Sequence, residues 1–304
     1  MMNTPGIHHV TAIAGTASRN VAFYRDALGL RLVKKTVNFD DPYTYHLYYG
    51  DRTGQPGSIL TFFPFADAQP GRTGTGMVQE TAFSVAPDSL DSWLERFAQM
   101  SAQDTYPGFD FSAPESRFGE TVLRFTDPDG LHLAFVGRED SQVPHGTFDA
   151  VTLGSRDPEA TAGVLTDVLG YSHEAEETGR SRFISGHGGS ADRIDLIQSS
   201  ELRRPGAGTV HHVAFRAADP DEQLEWQDRV AEAGLSVTEV KDRQYFKSIY
   251  FREPGGVLFE IATDPPGFSV DEPEETMGEA LKLPPWLESR REAIAARLPS
   301  LDAA

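Results

Sequence analysis

Thr209-Val210-His211-His212-Val213-Ala214-Phe215 reads as a strand. It is followed by a helical segment near Asp221 to Ala233, by Val237-Thr238-Glu239-Val240 and Ser248-Ile249-Tyr250-Phe251-Arg252, by the turn Glu253-Pro254-Gly255-Gly256, and by Val257-Leu258-Phe259-Glu260-Ile261-Ala262. The order is strand, helix, then three strands, with Pro-Gly-Gly as a turn signal. Such a half-sheet cannot bury its apolar face alone, so it needs a partner unit. Partners exist, because the pattern recurs as a weak repeat of about 55 to 65 residues. One copy begins at Ile7 and includes a helix over Val21 to Leu28 before Gly29 and the strands Tyr45-His46-Leu47-Tyr48-Tyr49 and Ser58 to Phe63. A second begins near Gln79, with a helix over Ser89 to Met100 and a hairpin turn at Asp127-Pro128-Asp129-Gly130; a third begins at Phe148, with a helix over Ala160 to Leu169 before Gly170. The expected fold is α+β, with four βαβββ modules paired into two domains. Residues 1–138 form the N-terminal domain, 139–146 a linker, 147–264 the C-terminal domain, and 265–304 a tail in which Pro284-Pro285 introduces an amphipathic helix to about Arg297.

The first copy opens with Gly6-Ile7-His8-His9-Val10-Thr11-Ala12-Ile13, which repeats the His-His pair of the fourth, and Glu260 is a carboxylate within an apolar strand. A buried carboxylate is costly unless it is paired or bound to a metal. Two histidines and a carboxylate on neighbouring strands make a facial metal site with open positions, the pattern of non-haem Fe(II) oxygenases. Alternation places Glu260 with Leu258 and Ala262 on the open face, and His212 with Ala214, because neighbouring side chains point to opposite faces. His9 is the matching residue of the first strand, which leaves His8 and His211 beside the ligands. The competing reading is of core histidines with Glu260 paired to Arg243 or Arg252; two matched pairs and an in-strand carboxylate weigh against it. Across the repeats, the His9/His212 position is Glu80 in copy two and Ala150 in copy three, and the Glu260 position is Ala134 in copy two. One metal per chain is therefore expected. His46, on a tyrosine-rich strand, reads as structural.

Composition narrows the partners. The chain of 304 residues is 39% hydrophobic, enough for a sizeable core. Its net charge of −19 argues against non-specific binding to nucleic acid or an anionic membrane. With no cysteine, thiolate ligands, thiol nucleophiles and disulfides are excluded. No run approaches the roughly 20 apolar residues of a membrane span, so the expected location is the cytoplasm and the expected partner a small molecule.

The stretches His8-His9-Val10-Thr11, Tyr45-His46-Leu47-Tyr48-Tyr49-Gly50-Asp51, Arg117-Phe118-Gly119, His211 to Phe215, Asp242-Arg243-Gln244-Tyr245-Phe246 and Phe251 to Glu260 together resemble the vicinal-oxygen-chelate superfamily. That superfamily includes glyoxalase I, fosfomycin- and bleomycin-resistance proteins and extradiol ring-cleaving dioxygenases. Within it the likeness is to four-module enzymes that open hydroquinones and chlorinated hydroquinones, and it spans Gly6 to about Pro299. The resemblance implies two glyoxalase-like domains and an Fe(II) site of His9, His212 and Glu260, with His8, His211, Arg243 and Tyr250 around an aromatic substrate that reacts with O2. Mn(II) suits the same ligands. A homo-oligomer is a further expectation.

Two other functions compete. A glyoxalase-like isomerase or lyase would use a second carboxylate as fourth ligand and base, and copy one lacks an acid at the corresponding strand end. A protein that sequesters an aromatic compound or antibiotic needs no metal, so a retained ligand triad counts against it.

Overall fold

The computed structural model describes residues 2–139, 146–186 and 191–301. The first module comprises β1 (Ile7–Ala14), α1 (Ala17–Val21), which continues as a π-helical turn over Ala22–Ala27, β2 (Arg31–Asn38), β3 (Asp41–Gly50) and β4 (Ile59–Pro64). The second has β5 (Met77–Val85), α2 (Leu90–Ala102), β6 (Asp110–Phe111), β7 (Glu115–Arg117), β8 (Glu120–Thr126) and β9 (His132–Gly137). In the third are β10 (Phe148–Ser155), α3 (Pro158–Gly163) with a π-helical turn over Val164–Val168, β11 (Ser172–Glu177), β12 (Arg180–Ile184) and β13 (Arg193–Gln198). The fourth contains β14 (Thr209–Ala217), α4 (Pro220–Glu232), β15 (Lys241–Asp242), β16 (Lys247–Arg252) and β17 (Leu258–Thr263), and the tail contains α5 (Arg291–Ala295). Gly29 and Gly170 stop the first and third helices with φ of +73° and +77°, the left-handed conformation that an L side chain disfavours.

The modules join across the sequence order. One sheet runs β15-β16-β17-β14-β1-β4-β3-β2, uniting the fourth module with the first; the other runs β11-β12-β13-β10-β5-β9-β8-β6, uniting the third with the second. At the centre of each, the two opening strands pair antiparallel, β1 with β14 and β5 with β10. Trp226 and Val230 of α4 are buried against the first sheet, and Gln223 Nε2 donates to the carbonyls of Lys247 and Ile261, each at 2.7 Å. We propose 139–146 as the boundary between the two halves of the chain; residues 140–145 of that linker lie outside the described residues.

Two expectations need correction. Val237 to Val240 is not a strand: Val237 alone bridges to Phe251, and the edge strand is the short β15. The tail helix is α5 only, preceded by a 3-10 turn over Glu288–Arg290, because the segment before it follows the surface of β2 and β3. There Leu283, Leu287 and Ile294 pack with Val37, and buried Lys34 is paired with Asp271 at 2.7 Å and with Glu272.

The turn after β8 ties the two sheets together. Tyr24 Oη donates to Asp127 Oδ2 at 2.8 Å, the amides of Asp129 and Leu131 donate to Asp127 Oδ1, and Gly15 N donates to Asp129 Oδ2 at 2.8 Å. Burial, and then the charge of Asp129, push the Asp127 carboxyl up to about 6. A raised carboxyl contributes stability that is fully present below its unfolded value near 3.9 and is lost as pH rises through about 6. Asp127→Asn keeps an oxygen for the amides and removes the titration. Its stability relative to the parent, measured by urea unfolding, should rise by about 2 kcal/mol between pH 4 and pH 7.5; a difference that does not change with pH would refute this account.

Candidate metal centre

The register of the first sheet sets the site. Tyr250 lies opposite Glu260, Glu260 opposite Ala214, and Ala214 opposite His9, so one row crosses β16, β17, β14 and β1. Residues opposite each other share a face, and His212, two residues before Ala214, joins them. The β1–β14 ladder also contains two irregularities: the pairing passes from Ile7 to His9 and from His212 to Val210, skipping His8 on one strand and His211 on the other. Both are bulge positions, where an extra residue is re-aimed and strict alternation fails.

The structure brings His9, His212 and Glu260 together. The Nε2 atoms of His9 and His212 are 3.2 Å apart, and Glu260 Oε2 lies 3.4 Å from the first and 2.9 Å from the second. All three side chains are buried. The spacing suits a bound cation, since adjacent ligands about 2.1 Å from one ion at right angles are about 3.0 Å apart. Glu260 Oε2 has no hydrogen bond, whereas Oε1 accepts one from Ser248 Oγ at 2.5 Å. Behind the ligands, His9 Nδ1 is 2.9 Å from His8 Nδ1, and His212 Nδ1 is 2.7 Å from His211 Nδ1. Each ligand can thus give its Nδ1 proton to its neighbour and keep an Nε2 lone pair toward the centre, the usual orienting device for metal-bound histidine. Three electron-rich atoms converging this way repel one another without a cation between them. Burial alone would raise the Glu260 carboxyl, but His9 and His212 hold it well below the usual carboxylate range; burial lowers His212, with Glu260 opposing. Among the described residues this is the one such cluster.

A cavity of about 430 Å³ opens over the triad. His211, Arg243 and Tyr250 line it, but His8 does not: it lines a separate cavity of about 470 Å³ with Arg216 and Asp264. The bulge turns His8 behind its ligand, where it contacts His9 and the Phe246 ring. Arg243 Nε donates to Tyr250 Oη at 3.1 Å and its Nη1 to Asp40 at 3.0 Å. Burial, and then Glu260, raise the Tyr250 phenol, so it stays protonated. Its oxygen already accepts from Arg243, which leaves the O–H to donate elsewhere. Burial, and then His212, bring His211 down to about 4, so its ring is neutral at neutral pH.

His46, expected to be structural, is on the cavity wall with Phe63 and Phe246. Its ring lies between Tyr48 and Phe63 at 4.0 and 4.3 Å, with Thr61 Oγ1 and Tyr48 Oη on its two nitrogens. Burial holds it well below the usual imidazole value, hence neutral. The alternation His46, Tyr48 on β3 carried that signal. What the sequence lacked was the knowledge that this face of β3 borders the triad.

Comparison with known proteins agrees with the fold. The family model described as Glyoxalase/Bleomycin resistance protein/Dioxygenase superfamily matches residues 6–135 and 147–261, and the chain belongs to that superfamily. The "Putative ring-cleaving dioxygenase MhqO" of Bacillus subtilis (strain 168) is 45% identical, with 96% of this chain and 95% of that protein covered. The "Chlorohydroquinone/hydroquinone 1,2-dioxygenase" of Sphingobium indicum is 33% identical, with 97% of each covered. A crystal structure titled "putative dioxygenase from Bacillus subtilis subsp. subtilis str. 168" superposes with a TM-score of 0.94 at 43% identity, over 100% of this chain and 99% of that one. Within the superfamily the chain thus falls among the ring-cleaving dioxygenases, which are oxidoreductases. No helix among the described residues is long and apolar enough to cross a membrane.

Removing one ligand should abolish tight metal binding. Glu260→Gln and His212→Ala are expected to lower affinity for a divalent ion by more than about a hundredfold, while His46→Ala keeps it within a few-fold. Equilibrium dialysis with metal analysis checks both; retention of stoichiometric metal by Glu260→Gln would remove this residue from the site.

Proposed function

We propose that this protein is an Fe(II)-dependent dioxygenase that opens the ring of a hydroquinone-type diphenol and incorporates both atoms of O2. The observation that carries the reading is the His9–His212–Glu260 triangle at the base of a cavity walled by aromatic side chains. Its donor set, two imidazoles and one carboxylate with open positions, suits Fe(II), and Mn(II) accepts the same ligands. The relatives named as ring-cleaving dioxygenases support the reaction class, and the one named for hydroquinone and chlorohydroquinone supports the substrate class. A cytoplasmic location is part of the same reading.

The bound metal would supply the Lewis acidity that lowers the pKa of a coordinated phenol and the redox chemistry that activates O2. The chain's own residues do the rest. His46, Phe63 and Phe246 line the cavity with rings that would pack against an aromatic substrate and keep water away. Neutral His211, whose Nδ1 accepts from His212, keeps its proton on Nε2 and donates a hydrogen bond from the cavity wall to a substrate oxygen. Tyr250 donates its free O–H, and the Arg243 guanidinium holds that phenol in place and adds positive charge where negative charge develops. His8 acts from behind, fixing the orientation of His9.

A glyoxalase-like isomerase is the weaker reading, for a specific reason. Glu260 faces Ala214 on β14, and by the pseudo-symmetry of β1 and β14 its counterpart faces Thr11 on β1, which is Thr61. Thr61 Oγ1 is 2.6 Å from His46 Nε2 and 3.1 Å from Thr11 Oγ1, so no second carboxylate is available there as ligand and base.

Anaerobically Fe(II)-loaded protein offered hydroquinone, chlorohydroquinone, methylhydroquinone and catechol should consume O2 with the para-diols. Uptake should vanish in Glu260→Gln, and Tyr250→Phe should lower kcat/KM by about ten- to a hundredfold through loss of one hydrogen bond to a charged group. No uptake by protein that holds stoichiometric iron would sink the proposal.

A further inference from the structure

A second, smaller cavity of about 220 Å³ adjoins the first, sharing Ile13, His211 and His212 with it. Its wall carries two guanidinium groups. On β16 the site face presents Tyr250 and then, two residues on, Arg252, which lies opposite Leu258 on β17. Arg203 comes from the loop before β14. Arg252 Nη1 donates to the Gly256 carbonyl at 2.9 Å, and Arg203 Nη1 donates to the same oxygen at 3.1 Å and to Gly76 O at 2.5 Å. Two like charges are thus gathered at one oxygen, near enough for a single carboxylate to bridge them. Neither has an acidic partner among the described residues, in a chain with 46 acidic side chains, where arginines beside the active site and in the other sheet are paired. The remaining wall is apolar, with Met77, Val78 and Val257.

We propose that this annexe binds the carboxylate of a ring-derived ligand, in the first place the carboxylate that cleavage creates. The inference rests on the ring-cleaving reading above. When O2 opens the bond between a hydroxylated ring carbon and its neighbour, the O–O bond and one C–C bond break, and both oxygen atoms form bonds to the separated carbons. The hydroxylated carbon becomes a carboxylic acid, which loses its proton to water near neutral pH, and its neighbour becomes an aldehyde. The diol that enters is neutral; the chain that leaves is an anion. Arg203 and Arg252 meet that new charge on the far side of His211, drawing the opened chain away from the metal ligands through bidentate guanidinium contacts.

The test uses trans,trans-muconate, a six-carbon unsaturated dicarboxylate, as the probe. Calorimetric titration of metal-loaded protein should show binding that weakens at least tenfold in the Arg203→Gln/Arg252→Gln double variant and is largely kept in the Arg203→Lys/Arg252→Lys variant. Metal content should be unchanged, and the KM for hydroquinone should stay within twofold. The titration does not depend on turnover, so an inactive protein that still binds muconate in this arginine-dependent way would fail the ring-cleaving reading but not the anion site. Equal muconate affinity in parent and Gln variant, or no binding by the parent at millimolar concentration, overturns the proposal. Oxygen uptake with 2,5-dihydroxybenzoate separates the two sources of the carboxylate. A tenfold loss of its kcat/KM relative to hydroquinone in the Gln variant assigns the annexe to a carboxylate already on the substrate, whereas an unchanged ratio with weakened product inhibition assigns it to the product.

Discussion

The antiparallel pairing of β1 with β14 is the constraint from which the site follows. It joins the first and last modules, which the sequence separates by the two modules of the other sheet, and it places His9 and His212 on adjacent strands at the middle of one sheet. β17, parallel to β14, then sets Glu260 level with Ala214 and His9. Shifting this register by one residue would turn the ligands to the opposite face, since side chains alternate with a period of two. Ligand geometry and core packing are therefore fixed by the same ladder of backbone hydrogen bonds.

The two bulges refine that arrangement. Without them His8 and His211 would be ordinary residues of the opposite face. With them, each sits beside its ligand with Nδ1 facing Nδ1, and the two depart in function: His211 reaches the cavity, His8 remains behind. The other sheet repeats the device, skipping Asp149 on β10 and Gln79 on β5, but it holds different chemistry. There Ala150 and Glu80 occupy the places of His9 and His212, and Ala134 that of Glu260. Glu80 is satisfied by Arg117 at 2.6 Å and Arg124 at 2.9 Å, and Asp195 by Arg182, so guanidinium groups balance the buried acids where the first sheet gathers metal ligands. Burial raises the Asp149 carboxyl to about 6, with Arg193 opposing. Such pairs offset the cost of burying charge and add little net stability, so their clearest consequence is to close this half to a metal.

Electrostatics also divides the pocket into regions. Beside the triad His46 and His211 are neutral and the walls aromatic, which suits an uncharged diphenol. Beyond His211 two arginines lack acidic partners among the described residues, which suits an anion. The arrangement places the charge that appears on cleavage downstream of the residues that would produce it.

The repeat, the module order and the donor types can be read along the chain: two His-His strands, one in-strand carboxylate and no thiol. Those are legible because hydrophobic alternation and Pro-Gly turns act locally, and because a glutamate in an apolar strand demands a partner. Comparing the copies also identified Glu80, Ala150 and Ala134 as the positions where ligands are missing. Which modules share a sheet, that His211 reaches the cavity while His8 does not, that His46 forms its wall, and that Arg203 and Arg252 converge on Gly256 emerge only on folding. Strand pairing between distant modules depends on burying both half-sheets at once, and a bulge is defined by the strand opposite it. Neither is a property of any single segment of chain.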